Sequence, residues 1–514
     1  MGDNLNSAES KIKALDELAV IAETARAKGI RVALCHGVFD LVHLGHLRHL
    51  KSARGEGDML IVTISGDHMV NKGPGRPVFN EQFRAEMLAG FDVVDFVGIS
   101  HHPGAEYVIE LIKPSVYVKG AEYQNAEKDV TGRIVTEQMM VERYGGHIAF
   151  THDLTFSSSS LLNRHFDIYP RQAQEYLSSY HDTDMLDRVL GAIESIRNCK
   201  VVFVGDKIID ESQYVEPLGK PSKENIIATR HIESEIFCGG VIAAANLVAD
   251  FVAEVEIVTV LGSQDSQEEL IRTNLRPNVH LKPFYRDDAP TTLKRRMVDP
   301  TYTRKLFEIS FINDRPMEED IQAEVDAYLA DRLPTADVVI VADFGHGAIA
   351  ESTVPILCSR SPFLALNAQT NSANHGYNLI TKYPRADYVC IDAPEARLAM
   401  SDRRRALDVL IKDGLLKKID CQRLMVTHGK NGCIAFDREN GTYWAPAFTS
   451  TVVDTMGAGD AFLAITSPMV AKGVSLEVVA FIGNAVGAMK VKVVGHRSSI
   501  DRAGLTKYVT ALLK

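Results

Sequence analysis

Two stretches carry residue types at spacings suited to chemistry. In "GVFDLVHLGHLRHL", residues 37–50, histidines recur every three residues as His43, His46 and His49. A zinc site needs three or four ligands in tetrahedral array; this spacing drifts around a helix, and no nearby Cys, Asp or Glu completes the set. Ordinary surface or core histidines are a second reading. The third is a strand, a tight "GVFD" turn, and "HLGH" opening a helix. Gly45 there lets a phosphate approach the backbone, and the helix N-terminus offers N–H groups to an anion. His43 and His46 would then bracket the α-phosphate of a nucleoside triphosphate and donate to oxygens that gain charge in the transition state, with His49 a bystander one turn deeper. The second stretch is "VVDTMGAGDAF", residues 452–462, between a strand-like segment and an apolar helical run. Gly457, Ala458 and Gly459 expose consecutive backbone N–H groups as an anion nest. Asp460 follows, placed to take a proton from a hydroxyl whose oxygen attacks a γ-phosphate. A tight turn with a solvent-facing N-cap aspartate is the plainer alternative.

The elements around these motifs read as two α/β series. "IRVALCHGVFD", "DMLIVTISGD", "VVDFVGIS", "PSVYVKG" and "HIAFTHD" are buried-strand runs separated by helix-length stretches, which predicts a parallel sheet with ligands at the strands' carboxyl ends. A linker leading into a helix spans residues 166–199. From "KVVFVGD" a second series runs through "VEIVTVLG", "ADVVIVADFG", "PFLALNAQ", "DYVCID" and "RLMVTHG". The expected domains are therefore residues 1–165 and 200–514, consistent with a chain of 514 residues, too long for one ordinary core.

Composition narrows the function classes. A net charge of -11, from 56 basic and 67 acidic residues, argues against a dedicated nucleic-acid binder. Seven cysteines without a CxxC pair read as reduced thiols of a cytoplasmic protein. The N-terminal stretch has acids and lysines where a signal peptide needs an apolar core, Met-Gly followed by Ser7 is only a weak myristoylation match, and no apolar run reaches the length of a membrane span. No Walker A motif and no HRD/DFG pair occurs.

"GVFDLVHLGHLRHLKSARGEGDMLIVTISGD", "GRPVFNEQFRAEML", "PSVYVKGAEY" and "FSSSSLLN" together resemble the HxGH nucleotidylyltransferases, in particular their sugar-phosphate and glycerol-phosphate branch. The resemblance implies that Lys72 and Arg84 hold the triphosphate, that Ser157, Ser158 and Ser159 cap a helix facing the β- and γ-phosphates, and that Gly37 and Phe39 line the nucleotide. Asp40 and Lys119 would lie near the acceptor. Lys72 and Arg76 also read as solvated loop charges. The family's usual Ser-Thr-Thr is here three serines.

"VVFVGDKIID", "FCGGVIAAANLVA", "MVTHGKNGCIAF" and "DTMGAGDAF" resemble the ribokinase-like (PfkB) sugar kinases, with a heptose-phosphate kinase look in "TTLKRR" and "ADFGHG". That resemblance implies an α/β domain with a small β lid around residues 211–237 and 291–312, and Asp460 as base. Asp206, Asp210, Gly239, Gly240 and Asn246 would bind the sugar, Lys294 and Arg296 a phosphate already on it, and Thr427, Gly429 and Gly432 the ATP side. The family's Asn-x-x-Glu magnesium motif appears as Asp392-Ala-Pro-Glu395, a Gly-Thr as Gly495-His496, and "LNAQTNSANHGYN" replaces a short Asp-Pro-Lys-Gly-like turn.

The pair of resemblances points to nucleotide-sugar synthesis: a sugar kinase, and a transferase using ATP (or CTP) with Mg2+ on a sugar 1-phosphate. It is similar to the bifunctional heptose 7-phosphate kinase/heptose 1-phosphate adenylyltransferase family, with the usual domain order reversed. The expected partners are small nucleotides and sugar phosphates, with no nucleic acid or membrane, and a possible homodimer through the lid. A cytidylyltransferase fused to a kinase for another sugar or polyol is the alternative, and a sensor retaining two nucleotide folds is a non-enzymatic one.

Overall fold

The structure is a computed structural model describing residues 8–70, 76–124, 133–151, 169–181, 183–301, 304–313, 315–497 and 499–513. Lys72, Ser157, Ser158 and Ser159 lie outside the described residues. The chain divides into two compact units, Met1–His181 with Ala503–Lys514, and Asp182–Arg502. Among the described residues no helix is long and apolar enough to cross a membrane.

In the first unit the five expected strands form: β1 (Val32–Gly37), β2 (Met59–Ser65), β3 (Phe96–Ser100), β4 (Val116–Gly120) and β5 (His147–Thr151). They make one parallel sheet of order β3-β2-β1-β4-β5. Their apolar runs do not alternate because helices cover both faces. Val32 and Leu34 pack under Leu18, Ala22, Val108 and Ile112, whereas Ala33 and Cys35 face Leu50, Ala53, Ala85 and Leu88. The strand order reverses between β1 and β4, so a crevice opens at their carboxyl ends, where the turn after Gly37 and the side chain of Lys119 emerge.

The boundary between the units differs from the expected one. The helix Arg171–Ser178 belongs to the first unit and Met185–Ser195 to the second, where Arg188 pairs with Glu477 at 2.7 Å. The expected linker is therefore helical on both sides of residue 181. The helix Arg502–Leu513 groups mainly with the first unit, although its sequence runs on from the kinase-like half. It buries Gly504, Leu505, Thr506, Tyr508, Val509, Thr510, Ala511 and Leu512, a nearly continuous apolar girth that needs protein around it.

In the second unit β6 (Lys200–Gly205), β9 (Glu254–Gly262), β10 (Val279–Arg286), β13 (Val338–Asp343), β14 (Leu364–Ala368), β15 (Arg385–Asp392) and β16 (Asp420–Thr427) run parallel. The hairpin β17 (Cys433–Asp437) and β18 (Gly441–Ala445) extends this sheet antiparallel. A separate sheet joins β7 (Lys207–Gly219), β8 (Ala228–Gly240), β11 (Leu293–Asp299) and β12 (Arg304–Phe311) in the order β12-β11-β7-β8. This is the expected lid. Its register sets Asp210, Ser212, Lys294, Arg296, Ser310 and Glu308 on one face and Glu211, Arg295, Met297, Ile309 and Phe307 on the other.

Candidate active sites

The first crevice is built around the helix Leu44–Glu56. His43 is its N-cap and accepts the Gly45 N–H at Nδ1 (3.0 Å), while His46 Nδ1 accepts the His43 N–H (3.3 Å). A neutral ring whose Nδ1 accepts carries its proton on Nε2, so both imidazoles are set as Nε2–H donors, their centroids 4.1 Å apart. The Gly45 N–H itself caps His43 here, so the glycine fixes the first histidine. His49 bridges Thr151 Oγ1 (2.7 Å) and Cys35 Sγ (3.6 Å), tying the helix to β5 and β1, the bystander role expected of it. Beneath them His36 is held neutral, its pKa lowered to about 3 by burial and then by Lys119 and Lys507.

Other expected ligands of this crevice are used inside the protein. Arg84 is fully buried and donates to the carbonyls of Phe79, Val38 and Ser65 and to Asp67 Oδ1 at 2.6–2.9 Å. It organises the crevice's loops, with four of its five N–H groups bonded inside the protein, which leaves little of the guanidinium for the expected triphosphate contact. Asp40 is buried and accepts at Oδ1 from the Val78 N–H (2.6 Å) and, more weakly, the Phe79 N–H (3.4 Å), which pins the turn after β1 and leaves Oδ2 outside both bonds. Arg76 is buried beside Asp40 and Tyr169, so the solvated-loop reading does not hold for it. Phe39 takes a left-handed backbone (φ 49°) and packs against Gly37 and the His46 ring, an apolar support for the turn. Lys119 pairs with the buried Glu137 at 2.8 Å and lies over the Tyr117 and Tyr123 rings.

The second crevice centres on Asp460, in the first turn of the helix Ala458–Ala471. Gly457 caps that helix at φ 70°, and a Cβ on it would stand 2.8 Å from His496 Cε1; Gly459 faces open space. The N–H groups of this first turn thus meet no side chain of their own, as an anion site requires. His496, in place of the family's threonine, packs beneath the turn and stays neutral, its pKa lowered to about 4 by burial and then by Lys490. Asp460 Oδ1 accepts from Gln369 Nε2 at 2.6 Å. Burial raises its pKa to about 6; the Gln369 bond opposes that, Asp210 adds to it, and Lys490 and Lys294 oppose it.

From the lid, Asp210 Oδ1 meets Arg296 (2.5 Å), which also holds Glu308 (2.8 Å), and Lys294 is in register with Asp210. Gly239 is required here, since a Cβ on it would come within 2.2 Å of Asp210 Oδ2. A cavity of about 240 Å3 lies between this lid face and the loops before and after the anion nest, lined in part by Asp210, Tyr214, Phe237, Lys305, Asp454 and Met456. On the opposite flank Asp392 and Glu395 cap the helix Ala393–Ala399 reciprocally, each accepting the other's N–H. Burial raises both carboxyls, and the Asp392 charge raises Glu395 further. Two crowded hard-oxygen donors that are hard to ionise are relieved by a divalent cation, so this donor set fits Mg2+. Thr427 is the register neighbour of Asp392, and Gly429 and Gly432 (φ 51° and 80°) form the turn that follows.

Two expected sugar ligands do not reach this crevice. Asp206 is fully buried and accepts the N–H groups of Phe344, His346 and Ala348, fastening the loop after β13. Asn246 bridges Asn274 O and the Arg276 N–H on the far side of its helix. Gly240, beside Gly239, turns β8 into that helix with φ 57° and contributes shape only. Gln369 was not foreseen; its place at the carboxyl end of "PFLALNAQ" is the signal that could have found it.

The pfkB family carbohydrate kinase model matches residues 198–503. The chain belongs to this carbohydrate kinase family. Ahead of that region, residues 34–165 match the cytidylyltransferase-like family. A bifunctional protein HldE of Geobacter metallireducens is 38% identical over 150 residues, 29% of each chain, and that of Geotalea uraniireducens is 39% identical over 142 residues, 27% of this chain and 28% of the other. The chain thus spans less than a third of the length of the curated relatives it matches. Phosphofructokinase-2 from Escherichia coli in complex with potassium shares the fold at a TM-score of 0.50 and 15% identity, over 62% of this chain and all of that one.

Two outcomes are expected. Arg84→Met should cost the first unit roughly 3–5 kcal/mol, because it strips donors from buried carbonyls and from Asp67; denaturant melts of the variant measure it. The Asp460 carboxyl should titrate with a midpoint near 6, against roughly 4 for an ordinary aspartate, as followed by its 13C shift against pH.

Proposed function

We propose that the chain is a bifunctional enzyme of nucleotide-sugar synthesis. Its pfkB unit phosphorylates a sugar with ATP, heptose 7-phosphate at the anomeric hydroxyl being the substrate we favour. Its first unit transfers a nucleotidyl group, adenylyl for preference, from a nucleoside triphosphate to a sugar 1-phosphate. The observation that carries the reading is the pairing of two Nε2–H imidazoles at one helix N-terminus with an aspartate and an anion nest at another.

In the kinase step the hydroxyl O–H bond breaks and Asp460 takes the proton. The sugar oxygen bonds the γ-phosphorus as its bond to ADP breaks, and the N–H groups from Gly457 to Asp460 face the charge on the transferred group. Lys294 and Arg296 supply cations for the phosphate already on the sugar, balanced by Asp210 and Glu308. Asp392 and Glu395 would hold Mg2+, whose charge offsets that of the triphosphate. In the transferase step a sugar-phosphate oxygen bonds the α-phosphorus and pyrophosphate leaves. The nucleophile is already anionic, so no base is needed, and His43 and His46 donate to the α-phosphate oxygens.

The outer face of the lid supports a homodimer. Phe307, Ile309 and Phe311 alternate along β12 and Ile236 lies on the same face of β8, each more than two-fifths exposed. A second copy of this chain is the occupant we favour, and Phe307→Asp with Ile309→Asp should shift the sedimenting species from dimer to monomer.

Pyrophosphate release and product masses with heptose 1-phosphate and each of ATP, CTP, GTP and UTP test the transferase, and ADP release with heptose 7-phosphate tests the kinase. His46→Ala should abolish the first by roughly a hundredfold or more and spare the second; Asp460→Asn should do the reverse. Turnover only with CTP would favour a cytidylyltransferase acting on another acceptor, as the cytidylyltransferase-like match allows.

A further inference from the structure

The loop from Gln369 to Asn378, which follows β14, is held firmly by its own hydrogen bonds. The Gln369 N–H donates to Asp343 O (2.8 Å), and the Gln369 carbonyl accepts from Asn378 Nδ2 (3.2 Å), which also reaches Asp343 O (3.0 Å). Asn371 and Asn374 both donate to Phe344 O (2.7 and 2.8 Å), and the Asn371 N–H donates to Asn374 Oδ1 (3.0 Å). Asn374 and Asn378 are buried, so these bonds are sheltered from water. From this fixed backbone two successive residues point to acids: Gln369 Nε2 to Asp460 Oδ1 (2.6 Å), and the Thr370 N–H to Glu395 Oε1 (3.3 Å).

We propose that Gln369 is the positioning residue of the kinase base: its amide holds Asp460 Oδ1 so that Oδ2 is the oxygen presented to the sugar hydroxyl. The inference rests on the reading of Asp460 as that base. An amide nitrogen only donates, so it bonds the ionised carboxylate and fixes the rotation of its plane. Beyond burial, Asp210 from β7 works against ionisation, while Lys294 from β11 and Lys490 from the helix Leu476–Lys490 favour it; Glu395 adds a further negative charge nearby. The lysines act only as distant charges, whereas Gln369 touches the carboxylate. Thr370, through the same backbone, keeps Glu395 in a fixed relation to the base.

The test uses the full chain with ATP and heptose 7-phosphate, and three variants. Gln369→Leu removes the donor at similar volume and Gln369→Glu replaces it by an acceptor of the same shape; Asp460→Asn is the reference. Gln369→Leu should lower kcat about tenfold with both KM values within about twofold, and move the acid limb upward in pH; Gln369→Glu should lose more. Wild-type kcat and an unmoved limb in Gln369→Leu, or a loss confined to KM, would overturn the positioning role. An active Asp460→Asn would instead sink the base assignment. A measurement independent of the sugar is the carboxyl 13C titration of Asp460, identified by its loss in Asp460→Asn. Its midpoint should rise in Gln369→Leu, and an unchanged midpoint overturns the proposal even if no sugar turns over.

Discussion

A buried carboxylate proposed as a phosphoryl-transfer base would have to stay ionised where water is largely excluded, and in this chain Asp460 would do so among other acids. Asp460 shares its surroundings with Asp210 and Glu395, and Asp392 lies against Glu395. Left alone, such a group would take up protons until its charges fell. Much of the second unit answers that constraint. Arg296 pairs with both Asp210 and Glu308, Lys294 and Lys490 stand within electrostatic reach, and backbone N–H groups cap Asp392 and Glu395. The glycines at 239 and 457 make room for the Asp210 carboxylate and for the His496 ring respectively.

The first unit solves a different problem with a different charge balance. On the proposed reading its reacting partners would bring the negative charge; the crevice offers neutral hydrogen-bond donors, and backbone N–H groups set the ring tautomers. Two cations near the turn are committed elsewhere: Arg84 to loop carbonyls and Asp67, Lys119 to Glu137. That commitment keeps the "GVFD" turn rigid, with Phe39 in a left-handed conformation braced by its ring.

Eleven strands were legible in the sequence because a strand covered on both faces is an uninterrupted apolar run, and because motif residues fall at carboxyl ends. The anion nest and the two histidines were legible for the same reason: backbone geometry and residue type suffice. Partners were not. Arg84, Asp206 and Asn246 have the chemistry of ligands, and nothing in a linear chain says that a carbonyl or N–H from 30 to 140 residues away has already claimed them. Gln369 is the converse, an ordinary polar residue that matters because β14 ends beside a helix starting 90 residues later. The helix Arg502–Leu513 was read only as the end of the kinase-like half, because a sequence does not say which unit buries a segment.

That last helix bears on how the molecule is made. The first unit opens the chain and is closed by a segment that leaves the ribosome only after the whole kinase unit has emerged. Synthesis therefore holds the first unit incomplete, with the apolar ground for its final helix waiting, through some 320 residues of separate folding. A cut between the halves would not yield two finished proteins. The two units are joined by chain topology as well as by a linker, so the first is completed only after the pfkB unit has been synthesised.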